Sequence, residues 1–350
     1  MILKNCNLFG KNVNIKIENG KFTEVGDFSA ADGIDIGGNS VIPGLIDTHI
    51  HGCNGHDTLD MGFAPMCDFL AKNGTTAWFP TLVTTSFDNM KKVTEKIPDV
   101  KGAEILGYHL EGPYISKEYK GAHNEKYIKN PDINEIKSLK NIRLMTIAPE
   151  LENAISVISE CDFSISLGHT ACDYETAKKA FLSGAESVTH TFNAMKPLHH
   201  RRPNLLGAAF EHQSYAEVIA DGFHVHPVNV LMLYKLFGDK LILVSDALEC
   251  TGFPDGKYML GGKEFTMKDH TATYEDGTIV GGTHTLFECV KSAVSFGIPF
   301  KNAVKAASEV PAKRFGLKKG KIEKGYDADM IILTKDMNIK DVILKGEFYK

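Results

Sequence analysis

The chain carries histidine and carboxylate side chains where several short apolar runs end, and these side chains are common ligands for divalent cations. The set contains four imidazoles, two carboxylates and no thiolate: His49, His51, Glu111, His169, His190 and Asp246. Nitrogen and oxygen ligands of this kind are typical of an open, hydrolytic metal site. A buried imidazole or carboxylate is costly without a partner, so a shared cation is the simplest common partner for all six.

His49 and His51 are the most closely spaced pair in this set. Residues two apart on a β-strand point to the same side, so both rings can face one ion. For any one histidine taken alone, a hydrogen-bonded place in the core is the simpler explanation. Packing does not readily explain six such residues after five different apolar runs, and the pattern therefore favours a metal site.

The elements that would position these residues are short apolar strands alternating with helices. Eight β-branched runs, among them VIPGLIDTHIHG, EILGYHLEGPY and LILVSDAL, are separated by segments of helical spacing such as YETAKKAFLSG. This alternation predicts a (β/α)8 barrel, a fold whose active sites lie at the carboxyl ends of the strands. A doubly wound sheet is the alternative, but its G-x-G-x-x-G turn is absent.

Both ends of the chain have the alternation of antiparallel strands instead. Residues 1–43 include an Asn19-Gly20 turn signal, and residues 315–350 contain short strands separated by Gly and Asp. We therefore predict an α/β protein with a small β-sandwich domain formed from residues 1–43 and 315–350. Residues 44–314 would form the barrel domain, with a β insertion near residues 258–282.

Composition excludes several classes of protein. The 350 residues carry 39 basic and 44 acidic side chains, a net charge of −5, so there is no basic surface for nucleic acid. No apolar run approaches the roughly 18 to 20 residues that cross a bilayer, and the N-terminus lacks a signal-peptide core. Seven cysteines without a CxxC pair argue against disulfides and thiolate zinc. We expect a cytoplasmic protein with reduced thiols and no membrane partner.

Several segments resemble the amidohydrolase superfamily, and within it the deacetylases of amino sugar phosphates. The segments are PGLIDTHIHG (43–52), GYHLEGPYIS (107–116), KGAHN (120–124), SLGHT (166–170), THTFNAM (189–195), ADGFHVHP (220–227) and VSDAL (244–248). This resemblance implies a metal-dependent barrel with a small β-domain, usually a homodimer. It also implies the reaction, in which N-acetylglucosamine 6-phosphate and water give glucosamine 6-phosphate and acetate.

The resemblance also implies roles for the metal-ligating residues. Glu111, His169 and His190 match the ligands of the principal metal. The pair His49 and His51 is retained in some relatives and replaced in others, so a second metal bridged by Glu111 is an open alternative. The ligand types suit Zn, Fe, Mn and Co alike, with one or two ions per subunit.

Two further residues match catalytic positions of these relatives. Asp246 resembles the acid/base, which takes a proton from water and passes it to the leaving nitrogen, and it is also a possible metal ligand. His123, in KGAHN, resembles the histidine that stabilises the carbonyl oxygen.

The remaining resemblance concerns the sugar phosphate. Arg201, in the basic run His199-His200-Arg201-Arg202, matches a phosphate-binding arginine that can reach the neighbouring subunit, although the run is also consistent with a solvated surface. Arg202 departs from the pattern, because many relatives carry an acidic residue there. The other expected substrate contacts are Ala122, His123, Asn193, Ala194, Asp221, Gly222, Phe223, His224, Ile279, Val280 and Gly281.

Three other functions compete with this interpretation. A deacetylase of N-acetylgalactosamine 6-phosphate, or another amidohydrolase, would share the metal ligands and differ in substrate contacts. An inactive scaffold predicts the loss of a ligand or of Asp246, and none is lost. A redox enzyme on a Rossmann sheet is disfavoured by the missing glycine motif.

Overall fold

The computed structural model describes residues 1–350 and contains 23 strands and ten α-helices. The strands are β1 Ile2–Leu8, β2 Lys11–Glu18, β3 Lys21–Gly26, β4 Ile34–Asp35, β5 Ser40–Pro43, β6 Leu45–Ile50, β7 Gly52–Cys53, β8 His56–Asp57, β9 Thr75–Leu82, β10 Glu104–Ile105, β11 Tyr108–Glu111, β12 Ile142–Ile147, β13 Ser164–Leu167, β14 Ser187–Val188, β15 Tyr215–Ile219, β16 Leu241–Val244, β17 Gly256–Leu260, β18 Lys263–Lys268, β19 Thr271–Thr273, β20 Ile279–Gly281, β21 Met330–Leu333, β22 Ile339–Leu344 and β23 Glu347–Tyr349. The helices are α1 Phe63–Lys72, α2 Phe87–Thr94, α3 Ile133–Ser138, α4 Ala154–Glu160, α5 Tyr174–Leu182, α6 Asn204–His212, α7 Pro227–Phe237, α8 Leu286–Ser295, α9 Phe300–Ala306 and α10 Glu309–Arg314.

Eight parallel strands form the centre of the molecule, in the order β6, β9, β11, β12, β13, β14, β15, β16. Strands β6, β9 and β16 are buried along their whole length, as expected where helices cover a parallel sheet. Backbone hydrogen bonds close the ring: the Asp246 N–H donates to the His49 carbonyl at 2.9 Å, and the His51 N–H donates to Ala247 at 2.9 Å. The predicted (β/α)8 barrel is confirmed.

Part of the barrel interior is polar. His109 Nε2 lies 2.9 Å from Thr146 Oγ1, Thr146 lies 2.8 Å from Thr189, and the Thr189 hydroxyl donates to Ser166 at 2.6 Å. These buried groups satisfy one another, which is the condition for placing polar side chains in a core. His109 is thus held by neighbouring hydroxyls.

The two ends of the chain meet in one sheet, in which the strand order is β23, β22, β21, β5, β1, β2, β3, with β4 beside β1. Pairing of β5 with β21 joins the N-terminal and C-terminal segments in antiparallel register, with Ile42 opposite Ile331. The sheet shares a core of 12 buried residues separate from the barrel core. The small β-sandwich domain formed from both ends is confirmed, whereas its boundaries at residues 43 and 315 stay a prediction.

A four-stranded antiparallel sheet, β17 to β20, lies between the last barrel strand and α8. Its apolar face packs against Val83, which follows β9, and the Tyr274 hydroxyl donates to the Ala122 carbonyl at 3.3 Å. The insertion is therefore fastened to the loops at the carboxyl ends of the barrel strands. No helix of the chain has the length and apolar character needed to span a membrane.

Candidate metal centre

Three of the six predicted ligands stand at equivalent places in the barrel. His169, His190 and Asp246 each lie two residues beyond the end of a strand, and each has a left-handed backbone, with φ of 46°, 26° and 50°. Non-glycine residues rarely adopt this conformation, and it costs about 1–3 kcal/mol at each position. Such outliers cluster at functional sites, because the surrounding fold holds them where a side chain must point inward.

Glu111 is the centre of the first donor set, in which it is joined by His169 and His190. Glu111 Oε1 lies 3.0 Å from His169 Nε2 and 2.9 Å from His190 Nε2, and the two nitrogens are 2.9 Å apart. All three side chains are buried. Their donor atoms therefore converge on a common point.

The second donor set consists of His49, His51 and Asp246, and Glu111 of the first set lies beside both of its histidines. Asp246 Oδ1 lies 3.3 Å from His49 Nε2 and 3.1 Å from His51 Nε2. Glu111 Oε1 is 3.4 Å from His49 Nε2, and Glu111 Oε2 is 3.1 Å from His51 Nε2. One carboxylate thus faces both donor sets, which is the arrangement that a bridging ligand requires.

The hydrogen bonds behind the imidazoles show that the donor atoms fit a cation. The His169 Nδ1–H donates to the Tyr119 carbonyl at 2.8 Å, and the His51 Nδ1–H donates to the Thr81 carbonyl at 3.1 Å. In the neutral ring each Nε2 then carries a lone pair facing the Glu111 carboxylate. Two lone pairs opposed in this way repel each other unless a positive charge lies between them. A proton can supply that charge, and a divalent metal supplies it to several donor atoms at once, so a metal suits the site.

The electrostatics of the site agree with this conclusion. Burial favours the neutral form of Glu111, yet the imidazoles of His49, His123 and His169 hold its pKa well below the usual value. Burial disfavours charge on His51, yet Asp246 and Glu111 raise its pKa to about 9. The two shifts are reciprocal, because the imidazoles stabilise the ionised Glu111 carboxylate and the carboxylates stabilise a positive charge on His51, which lies where a cation would sit.

His123 lies beside the same carboxylate but has the opposite ring orientation. Its Nδ1 accepts a hydrogen bond from the Thr84 N–H at 3.0 Å, so Nε2 carries the proton and lies 3.2 Å from Glu111 Oε2. Burial lowers the pKa of His123 to about 4, and the ring is therefore neutral near pH 7. The backbone partner behind each ring thus separates rings whose Nε2 carries a lone pair from one whose Nε2 carries a proton.

All of these groups except His49 line one side of a cavity of about 300 Å³ at the carboxyl ends of the strands. The predicted substrate contacts at its wall are Ala122, His123, Asn193, Ala194, His224, Ile279 and Val280. The His224 Nδ1–H donates to Asp221 Oδ2 at 2.6 Å, so Asp221 orients a ring at the wall without lining the cavity itself. Gly222, Phe223 and Gly281 also lie outside the lining, and the Phe223 side chain is exposed.

The structure does not place Arg201 at this cavity. The basic run turns back on itself through a bridge between His199 and Arg202, and both arginines are exposed. The cavity of a single chain therefore lacks the cationic side chain that was predicted for phosphate.

A sequence model described as "Amidohydrolase family" matches residues 40–348. The chain belongs to the amidohydrolase family. An N-acetylglucosamine-6-phosphate deacetylase from Vibrio furnissii is 33% identical over 94% of this chain and 88% of its own length. An N-acetylgalactosamine-6-phosphate deacetylase from Escherichia coli O157:H7 is 30% identical over 87% of this chain and 86% of its own length.

Solved structures show the same architecture. A mutant N-acetyl-D-glucosamine-6-phosphate deacetylase from Mycobacterium smegmatis, in complex with N-acetyl-D-glucosamine-6-phosphate, is 28% identical to this amidohydrolase. The TM-score is 0.92, and the similarity covers 100% of this chain and 99% of that one. The barrel, the terminal β-domain and the insertion are therefore common to both chains.

Sequence reasoning missed several residues that line the cavity of this amidohydrolase. Glu118 and Tyr119 lie between two motifs, and Leu260 and Thr278 belong to or flank the inserted sheet. Tyr119 acts through its backbone carbonyl, which no side-chain pattern reveals. The one feature of the sequence that could have identified Glu118 and Tyr119 is their position, since they directly precede KGAHN.

Removal of bound metal is expected to destabilise this amidohydrolase. A ligand held only by the folded state stabilises it by about 4 kcal/mol at a thousandfold excess over its Kd. We expect a chelator to lower the thermal unfolding midpoint and added divalent metal to restore it, as measured by calorimetry. Glu111→Gln is the control, because it weakens both donor sets and its midpoint should respond little to chelator. Equal midpoints for wild type with and without chelator would contradict the metal site.

Proposed function

We propose that this amidohydrolase hydrolyses the N-acetyl group of N-acetylglucosamine 6-phosphate to glucosamine 6-phosphate and acetate. The observation that carries the proposal is Glu111 placed between two groups of donor atoms, His169 with His190 and His49 with His51 and Asp246, beside a cavity that also holds His123. The Vibrio furnissii deacetylase, which is 33% identical over 94% of the chain, supports the choice of substrate.

Six side chains are proposed to hold the metal. Glu111, His169 and His190 would hold the principal ion, and His49, His51 and Asp246 would hold a second, with Glu111 between them. A bound divalent cation lowers the pKa of water and polarises the amide carbonyl. Zn, Fe, Mn and Co all suit this ligand set, and elemental analysis of the purified protein distinguishes one ion from two.

Asp246 is proposed to move the proton during the reaction. Burial opposes its charge, but His49 and His51 keep its pKa below the usual value, so the carboxylate is ionised and Oδ1 has no hydrogen-bond donor. It would accept a proton from the attacking water as the carbon–oxygen bond forms. The same proton then passes to the amide nitrogen, and the carbon–nitrogen bond breaks with an amine as leaving group.

His123 is proposed to stabilise the negative charge that develops on the acetyl oxygen. Its Nε2–H lies at the cavity wall, 3.2 Å from Glu111 Oε2, and its neutral ring retains that proton near pH 7. Thr84 fixes the ring through both its N–H and its hydroxyl, which lie 3.0 and 2.9 Å from Nδ1. The donor is therefore in place before the charge appears, which is the condition for a large electrostatic contribution.

The sugar phosphate is proposed to bind at the outer wall of the cavity. Ala122, Asn193, Ala194, Asp221, Gly222, Phe223, His224, Ile279, Val280 and Gly281 are the proposed contacts, made directly or through a neighbouring residue. Arg201 is proposed to reach the cavity of the neighbouring subunit in a homodimer, because its own cavity lacks it. We also propose a cytoplasmic location, since all seven cysteines are free.

The proposal is tested by measuring acetate release from three compounds with the same metal-analysed sample. N-acetylglucosamine 6-phosphate should react fastest, the galacto epimer more slowly, and unphosphorylated N-acetylglucosamine slowest in kcat/KM. The order follows because removal of the phosphate loses charged hydrogen bonds of about 1.5–3 kcal/mol each. No acetate from any compound would contradict deacetylation, and equal rates with and without phosphate would contradict the phosphate site.

Arg201→Met is expected to raise KM for the phosphorylated substrate by about 10-fold or more, with a smaller change in kcat. Arg201 is exposed, so folding should be unaffected. The adjacent and equally exposed Arg202→Met is the matched control. An unchanged KM would remove Arg201 from the phosphate site.

Mixed dimers test from which subunit Arg201 acts. If it crosses the dimer, combining Arg201→Met chains with Asp246→Asn chains creates one complete cavity, and activity at low substrate concentration recovers. If Arg201 serves its own subunit, the mixture shows only the average of the two parents' activities at low substrate concentration.

Two other functions remain distinguishable. The Escherichia coli O157:H7 relative favours the galacto epimer as the second candidate substrate, and the assay above separates the two by kcat/KM. An inactive scaffold would need no convergent donor atoms, whereas here both donor sets are present and buried.

A further inference from the structure

One buried carboxylate near the metal centre has no part in the proposed reaction. Glu217 lies inside strand β15, is fully buried, and contributes no donor atom to either metal set. Its Oε1 accepts a hydrogen bond from Arg314 Nη1 at 3.1 Å, and the Arg314 side chain is itself buried. Its Oε2 has no hydrogen-bond partner.

The free oxygen of Glu217 faces the back of a metal-ligating imidazole. Glu217 Oε2 lies 3.7 Å from His49 Nδ1, slightly longer than a normal hydrogen bond, and that nitrogen also lacks a partner. A buried carboxylate oxygen without a donor is costly, and so is a buried ring N–H without an acceptor. Each atom is the nearest complementary group to the other, and a proton on Nδ1 turns the pair into a donor facing an acceptor.

We infer that Glu217 is a positioning residue, which holds the proton of His49 on Nδ1 and so presents the Nε2 lone pair to the second metal position. This inference rests on the proposed metal-dependent function and extends it to a residue that touches neither metal nor substrate. His51 and His169 already have this ring form, each through a backbone carbonyl behind Nδ1. Glu217 supplies the corresponding acceptor for His49, where no backbone carbonyl does so.

Arg314 determines what a conservative change at this position does. Glu217→Gln keeps one side-chain oxygen. The charged Arg314 Nη1 should donate its hydrogen bond to that oxygen, as it donates to Oε1 in the wild type. The new amide NH2 must then face His49 Nδ1 and donate to it. Nδ1 becomes an acceptor, the ring proton moves to Nε2, and the lone pair is lost from the metal side.

The first test reads the ring form of His49 directly. In zinc-loaded protein labelled with 15N-histidine, the two-dimensional spectrum should show His49 as Nδ1–H, with assignment from the signal lost in His49→Asn. In Glu217→Gln, His49 should change to the Nε2–H form, while the patterns of His51 and His169 stay the same. A wild-type His49 already in the Nε2–H form would overturn the inference, whether or not any variant folds.

The second test measures zinc binding to each donor set by titration of the metal-free protein. Loss of the hydrogen-bond partner behind a metal-ligating imidazole weakens metal binding by about 10- to 100-fold. Glu217→Gln should weaken one zinc equivalent by this factor and leave the other, at Glu111, His169 and His190, within about twofold of wild type. If Glu217 served only to neutralise Arg314, Glu217→Gln would lower the stability of the protein and leave both zinc affinities unchanged. That result would overturn the inference.

Glu150→Gln is the matched control, because Glu150 is a carboxylate hydrogen-bonded to the Ala171 N–H at 2.6 Å and to Thr170, next to the ligand His169. It faces no imidazole nitrogen, so both zinc equivalents and the His49 signal should be unchanged. The deacetylase function and the role of Glu217 can be rejected independently. Absence of acetate release would contradict the deacetylase function, whereas the protonated nitrogen of His49 decides the role of Glu217. A wild type that binds one zinc would remove the second ion, and the spectrum would still decide.

Discussion

Asp246→Asn is expected to lower kcat for acetate release by about 10²- to 10⁴-fold while the protein keeps the ion proposed to lie at Glu111, His169 and His190. The carboxylate is ionised in the native site because His49 and His51 stabilise its charge. An amide cannot accept the proton of water and return it to nitrogen. The loss should therefore appear in kcat rather than in KM.

This variant isolates chemistry from folding because asparagine fits the backbone at position 246. Asp246 has φ of 50°, and Asn is one of the few residues that tolerates this region. The Asp246 N–H and carbonyl bond to His49 and Gly282 at 2.9 and 2.7 Å, and both contacts survive the change. The barrel should close as in the wild type.

Kinetics and elemental analysis on the same preparation check the prediction, with Asp276→Asn as a control at an exposed site of the insertion. A near-normal kcat would remove Asp246 from the proton-transfer role. Complete loss of metal would show instead that its ligand role dominates, and the kcat value could then not be assigned to proton transfer.

The barrel could be predicted from sequence because its signal is repeated. Most of the eight strands contain or adjoin a short apolar run, and parallel strands covered on both faces need such runs. The convergence of Glu111, His169 and Asp246 followed from topology alone, since carboxyl ends of parallel strands share one rim. Neither step required knowledge of a particular side-chain contact.

The features that sort the histidines by role could not be predicted in the same way. His123 and His169 have identical side chains, and the difference lies in whether Nδ1 meets the Thr84 N–H or the Tyr119 carbonyl. Those partners belong to backbone atoms distant in sequence, which no residue type encodes. The left-handed backbones of His169, His190 and Asp246 are equally invisible, because local preference opposes them and only the closed fold imposes them.

The burial of Glu217 could not be predicted from the sequence of its strand either. It interrupts the apolar run YAEVI, where a charged residue would normally mark the exposed face of a half-buried strand. Its burial depends on Arg314, which lies 97 positions later in the last barrel helix, α10. The pair can be recognised only when both elements are in place.

The largest effect on stability is expected from Lys319→Met, at the junction between the barrel and the terminal β-domain. Lys319 is 6% exposed, and its Nζ lies 2.7 Å from Glu104, 2.9 Å from Asp327 and 2.9 Å from Asp329. Removing one partner from a buried ion pair typically costs about 3–5 kcal/mol, because an uncompensated charge stays buried. Asp329 is only 2% exposed and would be that charge.

Urea unfolding should show this loss in the free energy of unfolding, and exposed Lys318→Met is the matched control at the adjacent position. The double variant Lys319→Met with Asp329→Asn should recover part of the loss, since it removes the stranded charge as well. Lys319 contacts no residue of the metal cavity, so kcat at a temperature where the variant is folded should match wild type. A loss under about 1 kcal/mol, as for a surface pair, would contradict the importance of the junction.

The pH dependence of this difference gives a further check on its cause. Burial opposes the charge of Asp327, but Lys21 and Lys319 lower its pKa in the folded protein. The stabilisation from this carboxylate is therefore complete above its unfolded-state pKa of about 4. It is lost as the pH falls through the lower folded-state pKa. Burial likewise opposes the charge of Lys319, yet Asp329 and Glu104 raise its pKa in the folded protein. The stabilisation from this ammonium is therefore complete below the unfolded-state pKa of about 10.4, and it is lost only as the pH rises through the higher folded-state pKa. The difference between wild type and Lys319→Met should therefore be level from about pH 5 to 9 and shrink in acid. A difference that persists undiminished in strong acid would mean that the methionine disturbs packing and that the ion pairs contribute little.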